Sequence, residues 1–235
     1  MDYSEGCFIG RIWDNKKGGP CLVTIRDDYI YDITSKEVPT VRNLLELKDI
    51  NEYLTRFVGS KLISTKELLQ FSLKKNSDIS LLAPCDFQAI KACGVTFAKS
   101  MVERVIEERA AGDPKKAESL RNHIGGLIGD SLQNIIPGSA KAYEVKEALI
   151  SEGLWSQYLE VGIGKDAEVF TKAQTLSSVG FGAEVGLNPI SNWNNPEPEI
   201  VLAVNSHGII RGATLGNDVN LRDVEGRSAL LLGKA

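Results

Sequence analysis

The sequence predicts an α+β protein, with a small β-rich N-terminal domain over residues 1–84 and a second domain over 85–235 that carries a helical insert. Three observations predict it. Residues 8–13, 21–25 and 29–33 are short β-prone runs separated by Lys16-Lys17-Gly18-Gly19-Pro20 and Asp27-Asp28, which is turn chemistry. From Phe97 the apolar period becomes helical: Met101, Val102, Val105, Ile106 and Ala110 recur on one face, with Glu103, Arg104, Glu107, Glu108 and Arg109 mostly on the other. Near the C-terminus an apolar, β-branched run ends at Val204, Asn205-Ser206-His207-Gly208 reads as a turn, and a second apolar run follows as the return strand of a hairpin.

The remaining elements follow in order. Thr40 can cap a short helix running to Leu47. Two strands, near residues 79–82 and 91–96, come next. Within the insert, Gly112 ends one helix and Asp113-Pro114 supplies the cap and first turn of another. Ile124-Gly125-Gly126-Leu127 and Pro137-Gly138-Ser139 are expected to break the rest into further helices.

Composition bounds the function. A chain of 235 residues with 43% apolar and 25% charged residues can bury a proper core and is globular in type. The net charge of −4 gives no electrostatic reason to expect nucleic acid or an anionic membrane as partner. No apolar run is long enough to span a bilayer, and Met1-Asp2-Tyr3-Ser4-Glu5 lacks the basic start of a signal peptide. Cys7, Cys21, Cys85 and Cys93 have no C-x-x-C spacing and lie in apolar contexts, so they are expected to be reduced and mostly buried in a cytoplasmic protein.

The hairpin carries the chemistry. Glu197 and Glu199 are two apart, so on a strand both point to one face. With the turn centred between Ser206 and His207, residue 216 falls opposite Glu197 and Asp218 lies one diagonal step away, roughly 7–8 Å. Three carboxylates then converge with no basic residue among them. Such charges repel, and each is pushed toward protonation unless a cation sits between them. Oxygen-only ligation favours Mg²⁺, then Mn²⁺ or Ca²⁺. The competing reading of the same residues is a solvated strand start, where glutamates around a proline are common.

The run from Pro196 to Gly226, PEPEIVLAVNSHGIIRGATLGNDVNLRDVEG, resembles the signature of the fumarylacetoacetate hydrolase family, in which an E-x-E pair and the Asp of an N-D-x-x-x-R-D stretch hold a divalent metal. The resemblance implies Glu197, Glu199 and Asp218 as metal ligands, with Arg222 and Asp223 completing the motif. It extends upstream to Lys91-Ala92-Cys93-Gly94-Val95-Thr96-Phe97, similar to the strand that opens the catalytic domain, and to Asp166-Ala167-Glu168-Val169-Phe170-Thr171-Lys172. The fold implied for 85–235 is part of a mixed β-roll, incomplete at its C-terminus, with the insert as a lid and Glu103 facing the site from it. Thr96, Phe97, Ser100, Lys172 and Arg222 are the implied substrate-side residues.

The family's C–C hydrolases carry a histidine and a glutamate after the opening strand. Here Glu103 stands at the glutamate's place but Ser100 at the histidine's, and a serine is no general base near neutral pH. The remaining segments resemble the branch that dehydrates 2-keto-3-deoxy sugar acids. That branch implies a metal-stabilised enolate, a 2-oxoglutarate semialdehyde product, Glu168 in acid–base work, and a lysine shortly after the N-D motif. Aligned without a gap, that lysine falls one position beyond Ala235, and Lys234 stands two short of it. The chain therefore resembles a family member cut before a catalytic residue, and an inactive or weakly active product is expected. Fumarylacetoacetate- or acylpyruvate-type hydrolysis is the enzymatic alternative. The implied partners are a small 2-keto acid and, for a full-length chain, further copies of itself.

Two other signals are set aside. Gly180-Phe181-Gly182-Ala183-Glu184-Val185-Gly186 mimics a dinucleotide loop, but the third glycine is one position late and no helix follows. His123 and His207 have no credible catalytic partner in the sequence, and no G-x-S-x-G elbow exists.

Overall fold

The structure is a computed structural model that describes residues 6–94, 102, 105, 106, 109, 110, 113–128, 135–225, 231 and 233. Contacts group the chain into two compact units, one of Met1–Ile90 with Lys172–Ala235 and one of Lys91–Thr171.

In the first unit each predicted β run becomes a strand because the residues after it can reverse the chain. β1 (Ile9–Asp14), β2 (Gly19–Arg26) and β3 (Tyr29–Asp32) form an antiparallel meander, with Ile12 opposite Cys21 and Ile25 opposite Ile30. Asp27 and Asp28 both adopt left-handed backbone, φ 47° and 61°, the double positive-φ turn whose twist suits a two-residue hairpin. β4 (Ser60–Ser64) and β5 (Ile79–Leu82) take the edges, giving the order β4-β3-β2-β1-β5.

Alternation along β2 sends its side chains to two different cores. Leu22 packs with Ile33, Val38 and the buried faces of α1 (Val41–Glu46) and α2 (Ile50–Arg56). Cys21 and Val23 point the other way, toward Ile12, Ile30 and Leu68 of α3 (Thr65–Ser72). Thr40 caps α1 as expected, its side chain accepting from Asn43 N. The buried Asp86 carboxylate accepts from Val41 N at 2.7 Å and Arg42 N at 3.1 Å at the same helix start. α2, β4 and α3 are not among the elements expected from the sequence. Their signals are present: Asp49 caps α2, and Ser64 with Glu67 forms a reciprocal capping box on α3.

The second unit is helical. Val102, Val105, Ile106 and Ala110 are helical and buried while Arg109 is exposed, as the period predicts. Val102, Val105 and Ile106 pack with Ile124 of α4 (Pro114–Ile128), Val145 and Leu149 of α5 (Ala140–Ser151) and Leu159 and Ile163 of α6 (Gln157–Ile163). Asp113 opens α4, accepting from Lys115 N. The expected break at Gly125-Gly126 does not occur, and α4 runs through both to Ile128. Two glycines cost about 1 kcal/mol each in a helix interior. Burial of Ile124 on the shared core, with Leu120 packed against it, offsets that cost. The break at Pro137-Gly138 is observed, with Gly138 at φ +72° and Ser139 capping α5.

Two short strands, β6 (Ile90–Cys93) and β7 (Val169–Ala173), pair with each other. The cysteine expectation needs correction. All four are free, but only Cys21 is buried, Cys85 is half-buried, and Cys7 and Cys93 are exposed. Cys93 alternates outward on β6 behind the half-buried Ala92, and Cys7 precedes the first strand. Burial, with Asp32 nearby, pushes the Cys21 thiol up to about 11, so it stays protonated. Among the described residues no helix is long and apolar enough to cross a membrane.

The glycines of the discarded dinucleotide pattern have a structural use. A Cβ on Gly180 would strike the Leu81 carbonyl, and Gly182 lies at φ +85° against the Ser72 carbonyl. Both let the 180–182 segment lie against backbone of the first unit.

Candidate active site

The hairpin forms, but in a different register from the one expected. β9 (Pro198–Val204) and β10 (Ile210–Asn217) pair antiparallel with Gly216 opposite Glu199 and Asn217 opposite Pro198. The loop holds Asn205 through Ile209, and Arg211 is an extra residue at a bulge between Ile210 and Gly212. Together these move the pairing two residues from the tight-turn expectation. Asp218 therefore comes opposite Glu197, donating its N–H to the Glu197 carbonyl at 2.9 Å, and Glu199 takes the diagonal position. The Asn217 side chain accepts from Glu197 N at 3.0 Å, which gives the Asn of the N-D pair a physical reason: it clamps the backbone of the carboxylate opposite its neighbour.

The bulge also anchors the hairpin. Arg211 donates to the Leu47 carbonyl at 2.7 Å, satisfying an orphan acceptor at the end of α1. Glu46 accepts from Ser206 N and Ser206 Oγ, both at 2.8 Å, and Ala203 packs against the core under α1 and α2. No feature of the sequence reading pointed to Glu46 or Arg211. Hydrogen bonds from the Ser206 backbone, then its hydroxyl, hold the Glu46 carboxyl below its ordinary value. A carboxylate depressed in the folded state adds stability above the unfolded pKa of about 4.3, and that stability is lost as pH falls through the folded pKa. Glu46→Gln is accordingly expected to loosen the hairpin tip at pH 6 and to make little difference at pH 3. Amide hydrogen exchange at residues 205–210 checks it, and equal protection in both proteins at pH 6 would refute the anchor.

The expectation that no basic residue lies among the three carboxylates is corrected. Arg222, on the short helix α7 (Arg222–Glu225), donates to Glu197 Oε1 at 2.7 Å and lies 3.6 Å from Glu225 Oε2. Lys172, on β7, pairs with Asp218 Oδ1 at 3.2 Å. The side chains of these two carboxylate–cation pairs are only 14–26% exposed, so solvent screens the pairs incompletely. Charge spacing hides this in the sequence, because Lys172 lies 46 positions before Asp218. Asp223, the last residue of the motif, accepts from Ser191 Oγ and Asn192 N and so holds the turn before β8 (Asn194–Asn195).

Glu199 has a different environment. Its carboxyl is raised, first by burial and then by the charges of Asp218 and Glu197, against a smaller lowering by Lys172. That is the signature of a carboxylate facing two others. The donor set, three carboxylates on one sheet face, fits a hard divalent ion in chemistry and register. Their side chains are not gathered on one point: among the described residues no group of three or more His, Cys, Asp or Glu is placed to hold a metal ion. Glu197 and Asp218 are instead each directed at a cation.

Glu168 belongs to the second unit, immediately before β7. Its carbonyl accepts from Gly94 N at 3.0 Å, and a Cβ on Gly94 would sit 2.5 Å from Glu168 Oε2 and closer still to Val161. Glycine at 94 thus leaves the space in which the Glu168 carboxyl lies. Burial raises that carboxyl above the ordinary glutamate value. Thr96, Phe97, Ser100, Glu103 and Lys234 lie outside the described residues.

The fold of the chain has counterparts among solved structures. The chain superposes over 95% of its length on 2-keto-3-deoxy-D-arabinonate dehydratase complexed with magnesium and 2,5-dioxopentanoate, with a TM-score of 0.56, 21% identity and 59% of that chain covered. The apo form of the same enzyme gives a TM-score of 0.57 at 20% identity, again over 95% and 59%. The fold is therefore the mixed helix-and-sheet fold of that dehydratase. Sequence comparison points to the same enzymes. A 2-dehydro-3-deoxy-D-arabinonate dehydratase of Saccharolobus solfataricus is 38% identical over 65 residues, 28% of this chain and 22% of that protein. A Haloferax volcanii protein described as "Probable 2-keto-3-deoxyxylonate dehydratase" is 35% identical over 95 residues, 40% of this chain and 32% of that protein. The matches span a third or less of these curated relatives. No protein-family model matches the chain. The resemblance to the sugar-acid dehydratase branch is thus borne out by sequence and by fold.

Proposed function

We propose that this chain carries the carboxylate site of a divalent-metal-dependent hydro-lyase that removes water from a 2-keto-3-deoxy sugar acid and yields 2-oxoglutarate semialdehyde. The observation that carries the reading is the hairpin register, which sets Glu197, Glu199 and Asp218 on one face in a fold shared with a dehydratase.

Glu197, Glu199 and Asp218 would hold the ion, Mg²⁺ before Mn²⁺ or Ca²⁺. When bound, the ion supplies a Lewis acid that withdraws charge from the substrate ketone and acidifies C3. Arg222 and Lys172 supply the positive charge that a 2-keto carboxylate needs on entry, Arg222 through a planar fork of donors. Glu168, whose carboxyl keeps its proton to higher pH than an exposed glutamate, takes part in moving a proton between C3 and the departing C4 hydroxyl. Thr96, Phe97 and Ser100 are assigned to the substrate, with Glu103 on a lid, and Lys234 is the candidate partner acid. We further assign 1–84 and 85–235 as the two domains, a cytoplasmic location and, for a full-length protein, a homo-oligomer.

The test is turnover of 2-keto-3-deoxy-pentonates and of acylpyruvates, each with Mg²⁺ and with chelator. Mg²⁺-dependent release of 2-oxoglutarate semialdehyde from the pentonates, with acylpyruvates untouched, is expected. Faster cleavage of acylpyruvates would make the C–C hydrolase reading correct. No turnover of either, alongside intact metal binding, would support the inactive-fragment reading.

A further inference from the structure

We infer that Lys172 and Arg222 are internal counter-ions that hold the carboxylate set apart and are displaced when a divalent cation binds, so that they set how tightly it is held. The inference rests on the metal-site reading above and deepens it. Three negative side chains share one sheet face, and two of them are already matched: Glu197 by Arg222 at 2.7 Å and Asp218 by Lys172 at 3.2 Å. Left unmatched, three carboxylates on one face repel one another, and the two pairs offset two of the three charges. The pairs also account for the absence of a gathered metal cluster among the described residues, since a carboxylate drawn to a guanidinium or ammonium is turned from the point the other two would share.

Binding must therefore exchange partners rather than fill a waiting cage. An ion of charge +2 placed among the carboxylates lies close to both +1 groups, which repel it while competing for its ligands. Removing one of those charges should tighten binding, the reverse of what loss of a supporting residue does. Glu225 gives Arg222 a second carboxylate at 3.6 Å to turn to once Glu197 is taken. For Lys172 the released ammonium becomes available to an anionic substrate.

Calorimetric titration with Mg²⁺ and Mn²⁺ tests this without any activity measurement. Lys172→Met, which keeps the aliphatic stem, is expected to bind about 5- to 30-fold more tightly than wild type. Lys172→Arg should restore wild-type affinity. Thermal melts supply the control for folding: Lys172→Met should melt lower than wild type without metal and gain more from saturating Mg²⁺. Wild-type binding with equal or weaker binding by Lys172→Met would overturn the counter-ion role and leave the metal site standing. Binding by Lys172→Met alone would support it in its strongest form. No binding by any of the three proteins would overturn the metal site, and the counter-ion role with it.

Discussion

Glu199→Ala is expected to abolish divalent-cation binding while leaving the fold intact. The Glu199 carboxyl is raised first by partial desolvation and then by the charges of Asp218 and Glu197, so it feels both of the other proposed ligands. Its loss leaves Glu197 and Asp218, each already paired with a cation and with no third oxygen to draw an ion between them. Loss of an outer-shell partner typically costs about 10–100-fold in metal affinity, and loss of a direct ligand should exceed that. Glu199 is exposed, and surface substitutions usually change stability by about 0.5 kcal/mol or less. Calorimetry with Mg²⁺ alongside a thermal melt separates the two effects. Equal binding by mutant and wild type would remove Glu199 from the ligand set. Because the raised carboxyl must give up its proton to bind, wild-type affinity should also weaken as pH falls.

The meander was legible because turn chemistry separates its strands, as at Asp27-Asp28, which adopt positive φ. The insert's buried face was legible because Val102, Val105, Ile106 and Ala110 keep a helical period. The register of the hairpin was not. Period-two alternation identifies the faces of a strand but says nothing of how many residues the loop spends, and the bulge at Arg211 answers to α1, more than 160 residues away. The α4 glycines misled for a related reason: local propensity is a weak prior that burial of Ile124 overrides. The ligand types were readable two residues apart, whereas the cations that neutralise them arrive through tertiary structure.

The apolar runs of the hairpin also illustrate the limit. Ile200 and Leu215 belong to the apolar runs of the two strands, yet they are 70% and 79% exposed, and Leu202, Ile209 and Ile210 are exposed as well. A contiguous apolar face of this kind marks a surface that packs against something.

The largest kinetic effect is expected at Glu168. Glu168→Gln keeps the shape that fits over Gly94 but cannot hold or release the proton, so turnover should fall by about 10²–10⁴. Burial raises this carboxyl without help from a neighbouring charge, the kind of setting that tunes a glutamate toward acid–base work near neutral pH. An isosteric amide accepts that burial more readily than a carboxylate does, so the melting temperature should hold or rise. Gly94→Ala offers an independent check on the same group. Its methyl would meet Glu168 Oε2 and Val161, so the Glu168 side chain must move while keeping its charge. A rate loss in Gly94→Ala that follows the loss in Glu168→Gln, with Mg²⁺ affinity unchanged in both, would assign the proton transfer to a precisely placed Glu168. Full activity in Glu168→Gln would instead make this glutamate an ordinary strand-end carboxylate and pass the acid–base role to another group.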